Sequence, residues 1–600
     1  MMTRLAPLTD ALSDYLAAHH DARRRLFVLR EIAAVAILVV FAFWRFWTPA
    51  DFAANLPREA AKYGVATWNL YQTGRYEFVI NHHAHPGMGG LGYALLILPS
   101  LWLTGGPLDK TIYTQLVLAV LTCVGVYVAV RQCFGVGAGF LAGLGLTTYR
   151  RFDECTRMLD TSIPSAFFFV AGALVFLWIL QDARRQSVKW LFWGLCAGWA
   201  TAIRSGDAVV YAILTLFLLW RLRSNRKEIC QRLLAAAVGA APLILPMLWY
   251  NHVHCGAWLR DARAYWCSNP YDNLSRMFGW RFAFQASTVG EELKDHGNLF
   301  FYLQLLATHL TSWPYLASNY SRLGSVLVFT LTGATLCGIW FALQRARVQT
   351  RVGDLLWFAG IVTGVVLMFY SVFCFRVARF LVPVAPFCAA FLGIGIVETV
   401  RRLWQRQATK LLIPVLALLW IIPARESVSH PTVRTGDQLP VASLLKEVDA
   451  RVEPNAVIIT STGPWLIEYY VIRNTARQLV PLNHKHESQV QPGPPKDPRK
   501  IPPFIAQSYD GDRENGAVDI FEFSAVEDPD RIQQLLDAGL PVYVIDTTFS
   551  EEAIDDLRSL SAHFDVHPLR KVSLQGSLAP FFPRPVVCVW KLTSRPAGSN

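Results

Sequence analysis

Long apolar runs, separated by short polar connections, fill the chain from residue 31 to residue 424. Eleven of these runs are predicted to be membrane-spanning helices, although several are shorter than the ~20 residues that a span needs. A further run, 90–104, is interpreted as a re-entrant or interfacial helix, because counting it as a span would invert every later connection. The eleven runs lie near residues 31–48, 111–130, 137–150, 163–180, 190–203, 207–220, 233–250, 323–343, 354–373, 380–400 and 410–424.

The connections between these runs predict an orientation in the membrane. Arg and Lys in short loops are retained on the cytoplasmic side. The basic N-terminal segment 1–30 is therefore predicted to be cytoplasmic, and the first apolar run to be an uncleaved anchor, because it has no small-residue cleavage site. Five alternate connections are basic and contain few acidic residues, and they are 131–136, 181–189, 221–232, 344–353 and 401–410.

The remaining polar segments are expected on the outer side. They include two long loops, 49–110 and 251–322, and a tail, 425–600. In the tail, the runs AVIIT and PVYVID predict buried strands, and the segments DRIQQLLDAG and SEEAIDDLRSL predict capped helices. The predicted fold class is an α-helical polytopic membrane protein with about eleven transmembrane helices in residues 31–424 and a C-terminal soluble α/β domain.

Composition agrees with a membrane protein, since 53% of the residues are hydrophobic and only 17% are charged. The net charge is +12, but the basic residues lie beside apolar runs. Membrane orientation explains this charge better than nucleic-acid binding, so no nucleic-acid partner is expected. The 11 cysteines form no CxxC pair. Cys255 and Cys267 share an outer loop, but spacing alone does not establish a disulfide between them.

Four acidic residues on the outer side are candidates for catalysis or binding. Asp51 follows the first span, and Asp153, Glu154 and Asp160 lie in the next outer connection. A carboxylate at a membrane edge is costly to desolvate and is suited to act as a general base. We expect Asp51 and Asp160 to be catalytic, and Asp153 and Glu154 to contact substrate. The alternative is that these residues are solvated loop acids or ion-pair partners of nearby arginines.

Six arginines expected on the outer side break the positive-inside pattern, and Arg204 and Arg379 are the candidates among them; the others are Arg150, Arg151, Arg157 and Arg376. Arg204 lies in a tight turn between two apolar runs, and Arg379 lies at the start of another run. A guanidinium group binds phosphate through two parallel hydrogen bonds, so both residues are predicted to bind a phosphate. The alternatives are an ion pair, such as Arg204 with Asp207, and contact with lipid head groups.

The loop 49–110 contains further candidates. Arg75 and Tyr76 form a Gly-Arg-Tyr turn, and His83 and His85 belong to a cluster of histidines. We expect these side chains to contact substrate, with a hydrogen-bonding role toward sugar or phosphate for the histidines; a plain loop is the alternative. A divalent metal is less favoured because no carboxylate is placed with the histidines, so no cofactor is expected.

Four segments carrying these residues occur in a suggestive order. The first segment is Asp51 followed by NLYQTGRYEFVINHHAHPGMGGLGY. Asp160 lies in the second segment, RMLDTSIPSAFFFVAG, and Arg204 in the third, GLCAGWATAIRSGDAVV. Arg379 lies in the fourth, ARFLVPVAPFCAAFLG. The order resembles that of the GT-C superfamily of polytopic glycosyltransferases, which includes the protein O-mannosyltransferases and the aminoarabinose transferase of lipid A. This sequence departs from the family pattern in having no second acid beside Asp51, and in the letters MGG that interrupt the usual Pro-Gly-Tyr run.

The resemblance implies an inverting glycosyltransferase that moves a sugar from a polyprenyl-phosphate donor to a glycan, lipid or protein acceptor. The reaction would occur on the outer face of the plasma (inner) membrane. Asp51 would deprotonate the acceptor hydroxyl, Asp160 would help to position acceptor or base, and Arg204 and Arg379 would hold the donor phosphate. The alternatives are a transporter or flippase of lipid-linked glycans, which needs no base, and a non-catalytic assembly protein whose tail binds a partner.

Overall fold

The computed structural model of the chain describes most of the predicted membrane domain and the framework of the tail. Asp51, Cys267 and the predicted eleventh span, 410–424, lie outside the described residues. The described residues are 28–47, 58–80, 83–87, 90–106, 108–156, 159–182, 184–222, 225–255, 258–259, 277–285, 297–311, 322–374, 376–405, 441–460, 467–473, 475–482, 524–546, 551–573 and 586–595.

Apolar helices make up the membrane domain. Five helical segments of the described chain are long and apolar enough to cross a membrane: α4, α7, α10, α14, and a 3-10 helix, Ala378–Val384, that continues into α15. The helices in chain order are α1 (28–46), α2 (Arg58–Thr73), α3 (Leu91–Thr104), α4 (Ile112–Phe134), α5 (Val136–Thr147), α6 (Arg150–Thr156), α7 (Ser162–Gln181), α8 (Gln186–Ile203), α9 (Asp207–Arg221), α10 (Arg226–Cys255), α11 (Trp280–Phe284), α12 (Asn298–Thr311), α13 (Arg322–Ala346), α14 (Thr350–Ser371) and α15 (Ala385–Trp404).

The predicted polytopic helical architecture is confirmed, whereas the number of spans stays a prediction. Each predicted apolar run up to residue 400 coincides with a described helix. Some of these helices are short, such as α5 with 12 residues, which is less than a bilayer crossing requires. The run 90–104 is the 14-residue helix α3, and its interfacial or re-entrant placement stays a prediction. The connection 251–322, which was predicted to be an outer loop, contains two helices, α11 and α12, that its sequence did not predict.

The helix bundle has two chemically different ends. At one end, which we call the basic end, ion pairs join the connections between helices, with Arg131 Nε 2.6 Å from Glu31 and Arg345 Nη1 3.4 Å from Glu398. The opposite end carries Asp160, Arg204 and Arg379 and is called the site end. The predicted basic connections thus lie together, away from the predicted site residues.

Glycines allow two pairs of membrane helices to cross at close range. A Cβ atom on Gly338 of α13 would lie 1.8 Å from the carbonyl oxygen of Phe391 in α15. A Cβ atom on Gly395 of α15 would lie 1.7 Å from the carbonyl oxygen of Ala334 in α13. Where α8 and α10 cross, glycines of the two helices likewise face backbone carbonyl oxygens of the opposite helix. Small residues let backbones approach in a membrane, where dispersion contacts drive helix association.

A short hairpin connects α2 to α3 at the site end. Strands β1 (Glu77–Ile80) and β2 (His83–Pro86) pair in antiparallel register, with Phe78 opposite His85. Asn69, near the end of α2, donates a hydrogen bond of 2.8 Å from Nδ2 to the carbonyl oxygen of Glu77. This bond fixes the angle between helix and hairpin, so the loop that the sequence presents as irregular has an ordered framework.

The tail contains the predicted α/β domain. Its five-stranded sheet has the order β4-β3-β5-β7-β6, in which β3 is parallel to both β4 and β5, and β7 is antiparallel to β5 and β6. The runs AVIIT and PVYVID form β3 and β5, as predicted. The elements are β3 (Val457–Thr460), β4 (Gln478–Pro481), β5 (Val542–Asp546), β6 (Phe564–Ser573) and β7 (Val586–Ser594), with helices α16 (Val441–Arg451), α17 (Pro529–Asp537) and α18 (Glu551–His563).

The tail domain packs directly on the membrane domain. A short π-helix, Glu468–Ile472, follows β3, and its neighbour Ile467 belongs to the same buried apolar cluster as Val65 of α2. The ring of Trp68 in α2 lies 5.1 Å from the ring of Tyr469, edge to face. The tail is therefore held at the site end of the bundle.

Candidate active site

A buried carboxylate lies at the centre of the site end. Asp160 lies two residues before α7 begins, ahead of the N-cap Thr161, and its Oδ1 accepts a hydrogen bond of 2.6 Å from the backbone N–H of Ser162, the first residue of that helix. Its Oδ2 lies 3.3 Å from Nε of Arg379, which belongs to the 3-10 helix before α15. The Asp160 side chain is 5% exposed and that of Arg379 is 26% exposed. Asp160 thus orients Arg379, whose side chain still reaches solvent.

Arg204 occupies an aromatic pocket at the same end. It ends α8, and its Nη2 donates a hydrogen bond to the hydroxyl group of Tyr370, in the last turn of α14. The guanidinium carbon lies 5.2 Å from the Tyr370 ring centre and 5.3 Å from that of Phe380, and these two rings stack on each other. Asp160 and Asp207 interact electrostatically with the buried Arg204 side chain. Nη1 of Arg204 is buried and has no hydrogen-bond partner among the described residues.

Polar side chains from two more elements fix the backbone at Asp160. Gln115 of α4 donates hydrogen bonds from Nε2 to the carbonyl oxygens of Asp160, at 2.8 Å, and of Cys155, at 3.0 Å. The hydroxyl group of Tyr93 in α3 donates to Oε1 of Gln115 at 3.2 Å. Both side chains are fully buried. The segment that presents Asp160 is therefore held rigidly, as a site for positioned charges requires.

Tyr250 of α10 ties the hairpin to the bundle. Its hydroxyl group donates to the carbonyl oxygen of Tyr76 at 2.7 Å and accepts from the N–H of Gly87 at 2.7 Å. The Tyr76 ring covers Gly87 so closely that a Cβ atom there would lie 2.7 Å from it. Tyr76 and His85 are both buried, whereas Arg75 is exposed on the turn.

Close backbone packing brings the end of this loop beside Arg204. A Cβ atom on Gly90 would lie 2.1 Å from the carbonyl oxygen of Ala202. A Cβ atom on Gly92 would lie 2.5 Å from the Cβ atom of Ala202. Ala202 lies two residues before Arg204. Gly90, which belongs to the letters that interrupt the family's Pro-Gly-Tyr run, thus has a structural reason, because a larger residue would push α3 away from the end of α8.

Known proteins share the architecture around this site. Residues 85–250 match the family model of dolichyl-phosphate-mannose-protein mannosyltransferases. ArnT from Cupriavidus metallidurans, solved with undecaprenyl phosphate, is similar over 92% of this chain and 97% of its own, with 12% identity and a TM-score of 0.54. AglB from Archaeoglobus fulgidus, solved with an inhibitory peptide and a dolichol phosphate, is similar over 95% of this chain and 75% of its own, with 12% identity and a TM-score of 0.50. No curated protein matches the chain by sequence.

The chain has the GT-C fold. The resemblance that its motifs indicated is confirmed by the family model and by the shared architecture. With the apolar helices described above, this fold makes the chain an integral membrane protein.

Within the GT-C fold, three of the predicted residues come together and Asp153 has a partner of its own. Asp160, Arg204 and Arg379 meet at the site end, as described above. Asp153 of α6 pairs with Arg45 of α1, with 2.8 Å between Oδ2 and Nη2, and both side chains are largely buried. This ion pair joins α6 to α1, so the pairing alternative is realised for Asp153, while a contact with substrate stays a prediction.

Several other predicted residues lie outside the described part of the chain. Asp51 lies there, as do the side chains of His83, Glu154 and Cys255. The helix that precedes Asp51, α1, ends at the site end, where the ring of Phe46 lies 5.8 Å from that of Phe152 in α6. Among the side chains that the structure describes, no group of three or more His, Cys, Asp or Glu residues is arranged to hold a metal ion.

Aromatic residues of the site were missed by sequence reasoning. Tyr370, Phe380 and Tyr250 lie in or beside apolar runs, where an aromatic side chain carries no signal that separates a pocket wall from a lipid-facing position. Gln115 did carry a signal, since an uncharged polar side chain inside an apolar run commonly bonds to a neighbouring helix. The arrangement places two guanidinium groups around one fixed carboxylate, and guanidinium groups can bind an anion such as a phosphate.

Proposed function

We propose that this GT-C protein transfers a sugar from a polyprenyl-phosphate carrier to an acceptor at the site end of its helix bundle. The observation that carries the proposal is the buried Arg204, whose Nη1 has no hydrogen-bond partner among the described residues and whose charge interacts with Asp160, the ion-pair partner of Arg379. A buried donor that lacks an acceptor costs free energy, and a phosphate oxygen would satisfy it. The comparison proteins ArnT and AglB hold polyprenyl phosphates, which supports a lipid-phosphate donor.

The chemistry of such a transfer assigns different tasks to these side chains. The leaving group is a lipid phosphate, and cationic groups stabilise the negative charge that develops on it in the transition state. Arg204 supplies a fixed cation on a rigid aromatic wall. Arg379 supplies a second, more exposed cation, which Asp160 orients through their ion pair.

The general base is assigned to Asp51, which follows α1 in the sequence, and α1 ends at the site end. It would deprotonate the acceptor hydroxyl group, which then attacks the anomeric carbon from the face opposite the phosphate, so that the new bond forms with inversion. Removal of a general base typically costs ~10²–10⁴-fold in rate. The site end is assigned to the outer face of the inner membrane, because the basic connections lie at the opposite end.

Binding of undecaprenyl phosphate to the purified protein tests the phosphate site. The Arg379→Ala variant should bind it ten- to a hundredfold more weakly, since a charge-assisted contact contributes ~1.5–3 kcal/mol. Arg379→Lys should recover only part of the affinity, because the planar fork is lost. Arg204→Lys should also weaken binding.

Arg347→Ala is the matched control, because Arg347 is exposed at the basic end. It should bind undecaprenyl phosphate as the wild type does. Equal affinity of the wild type, Arg379→Ala and Arg204→Lys would exclude the phosphate site. A transporter would also bind the lipid, but Asp51→Asn would then leave its function intact, whereas a transferase would lose turnover.

A further inference from the structure

A stacked arginine lies at the contact between the tail domain and the membrane domain. Arg473 follows the π-helix Glu468–Ile472, and its guanidinium carbon lies 3.8 Å from the ring centre of Trp68 and 4.5 Å from that of Tyr469. Trp68 belongs to α2 of the membrane domain, so Arg473 is held by one ring from each domain. Stacking on aromatic faces is a contact that guanidinium makes better than ammonium does.

Local geometry fixes Arg473 in this position. Its backbone N–H donates to the carbonyl oxygen of Glu468 at 3.0 Å, which closes the π-helical turn. Helical turns of this kind are uncommon and recur at functional sites. Nη1 of Arg473 is buried and has no hydrogen-bond partner in the described part of the chain, so the stacked rings, and not a polar network, are the contacts shown for this group.

A series of contacts leads from Arg473 to the candidate active site. Asn69, next to Trp68, bonds to the backbone of Glu77 at the start of β1. The hairpin carries Tyr76 at its entrance and His85 in β2. Tyr250 then joins the same, open end of this hairpin to α10, through the backbone of Tyr76 and Gly87. The hairpin is thus held from two sides, by Tyr250 on the bundle and by the tail domain through α2.

We propose that Arg473 is a positioning residue for the acceptor side of the site, and that the tail domain is a working part of the transferase. The inference rests on the proposed function. The tail holds α2, and through it the hairpin with Tyr76 and His85, in the geometry that an acceptor meets. The donor phosphate is assigned to other elements, namely the turn at Arg204 and the 3-10 helix at Arg379. Loss of Arg473 should therefore affect use of the acceptor and spare binding of the donor.

Steady-state transfer tests this inference, with a native cell-envelope extract as the titrated acceptor and the lipid-linked sugars extracted from cells that lack the protein as donor. Undecaprenyl phosphate is the probe of the donor site. Arg473→Leu should raise the apparent KM for the extract roughly tenfold, the effect expected of a desolvated cation–π contact. Its affinity for undecaprenyl phosphate should stay that of the wild type. Arg473→Lys should recover part of the loss. Arg451→Leu is the matched control, because Arg451 is an exposed arginine of the same domain.

A double-mutant cycle with Trp68→Leu separates the contact from a general loss of folding. The double variant should be no worse than either single variant, because each removes the same contact. Additive effects of Arg473→Leu and Trp68→Leu on the KM for the extract would overturn the positioning role. The role would also be overturned if Arg473→Leu had the same KM as Arg451→Leu. Loss of undecaprenyl phosphate affinity in Arg473→Leu would overturn it as well. No transfer by the wild-type protein would instead overturn the proposed function and, with it, the positioning role.

Discussion

At the scale of the residue, Asp160 has both carboxylate oxygens engaged, one by the N–H of Ser162 and one by Arg379. A carboxylate bound in this way orients its neighbours and is poorly placed to take a proton from an acceptor. We therefore expect Asp160→Asn to lower transfer by about 10²-fold, the effect typical of a displaced catalytic group. Asparagine retains the oxygen that accepts from the N–H of Ser162 but loses the charge that holds Arg379.

The control for this variant is Asp354→Asn. Asp354 is also buried and paired, with its Oδ1 3.6 Å from Nε of Arg221, but it lies at the basic end. Transfer by Asp354→Asn should match that of the wild type when rates are compared per folded protein. Transfer by Asp160→Asn at the wild-type rate would show that the ion pair with Arg379 has no part in the reaction.

The charged residues of the site could be predicted from the sequence because a charge stands out in an apolar run. Asp160, Arg204 and Arg379 were found in this way, and the structure brings them together from three distant segments. Their partners could not be predicted, because Tyr370 and Phe380 look like any other aromatic residue of a span. The pairing of Asp160 with Arg379 also depends on a contact between segments more than 200 residues apart, which no local pattern encodes.

At the scale of the element, the crossing of α13 and α15 depends on backbone contact at Gly338 and Gly395. Gly338→Ala should destabilise the solubilised protein by about 1–3 kcal/mol, because the added methyl group meets a carbonyl oxygen of α15. Gly333→Ala in the same helix is the matched control, since a Cβ atom there meets nothing within 4 Å. That control should be neutral or slightly stabilising, because alanine favours helix over glycine by ~1 kcal/mol.

Thermal unfolding in detergent distinguishes these two variants. Equal melting temperatures for Gly338→Ala and Gly333→Ala would mean that α13 and α15 do not cross at this point.

Among the tail elements, β3 and β5 were predictable because their apolar, β-branched runs are buried. The hairpin of β6 and β7 was not, because β6 reads DVHPLRKVS after its first residue, with polar residues and a proline where a buried strand would be apolar.

At the scale of the whole molecule, the basic connections and the candidate site lie at opposite ends of one helix bundle, and the tail docks beside the site. The sequence predicted this division because charge bias is a property of whole loops and survives errors in helix boundaries. It did not predict that the tail shares a buried apolar cluster with α2, since tail residues such as Ile467 and Val471 show nothing locally about their partner. The structure thus places the tail domain against α2, beside the candidate site.

Mass spectrometry of lipid-linked sugars tests the central claim most directly. If the protein transfers a sugar from a polyprenyl-phosphate carrier, cells that lack it should accumulate one polyprenyl-phosphate-linked sugar. Restoring the wild-type protein should remove this species, whereas Asp51→Asn, which inserts and binds the carrier but has no base, should not. An unchanged profile of lipid-linked sugars in cells without the protein would contradict the proposed function, and clearance by Asp51→Asn would contradict the assigned base.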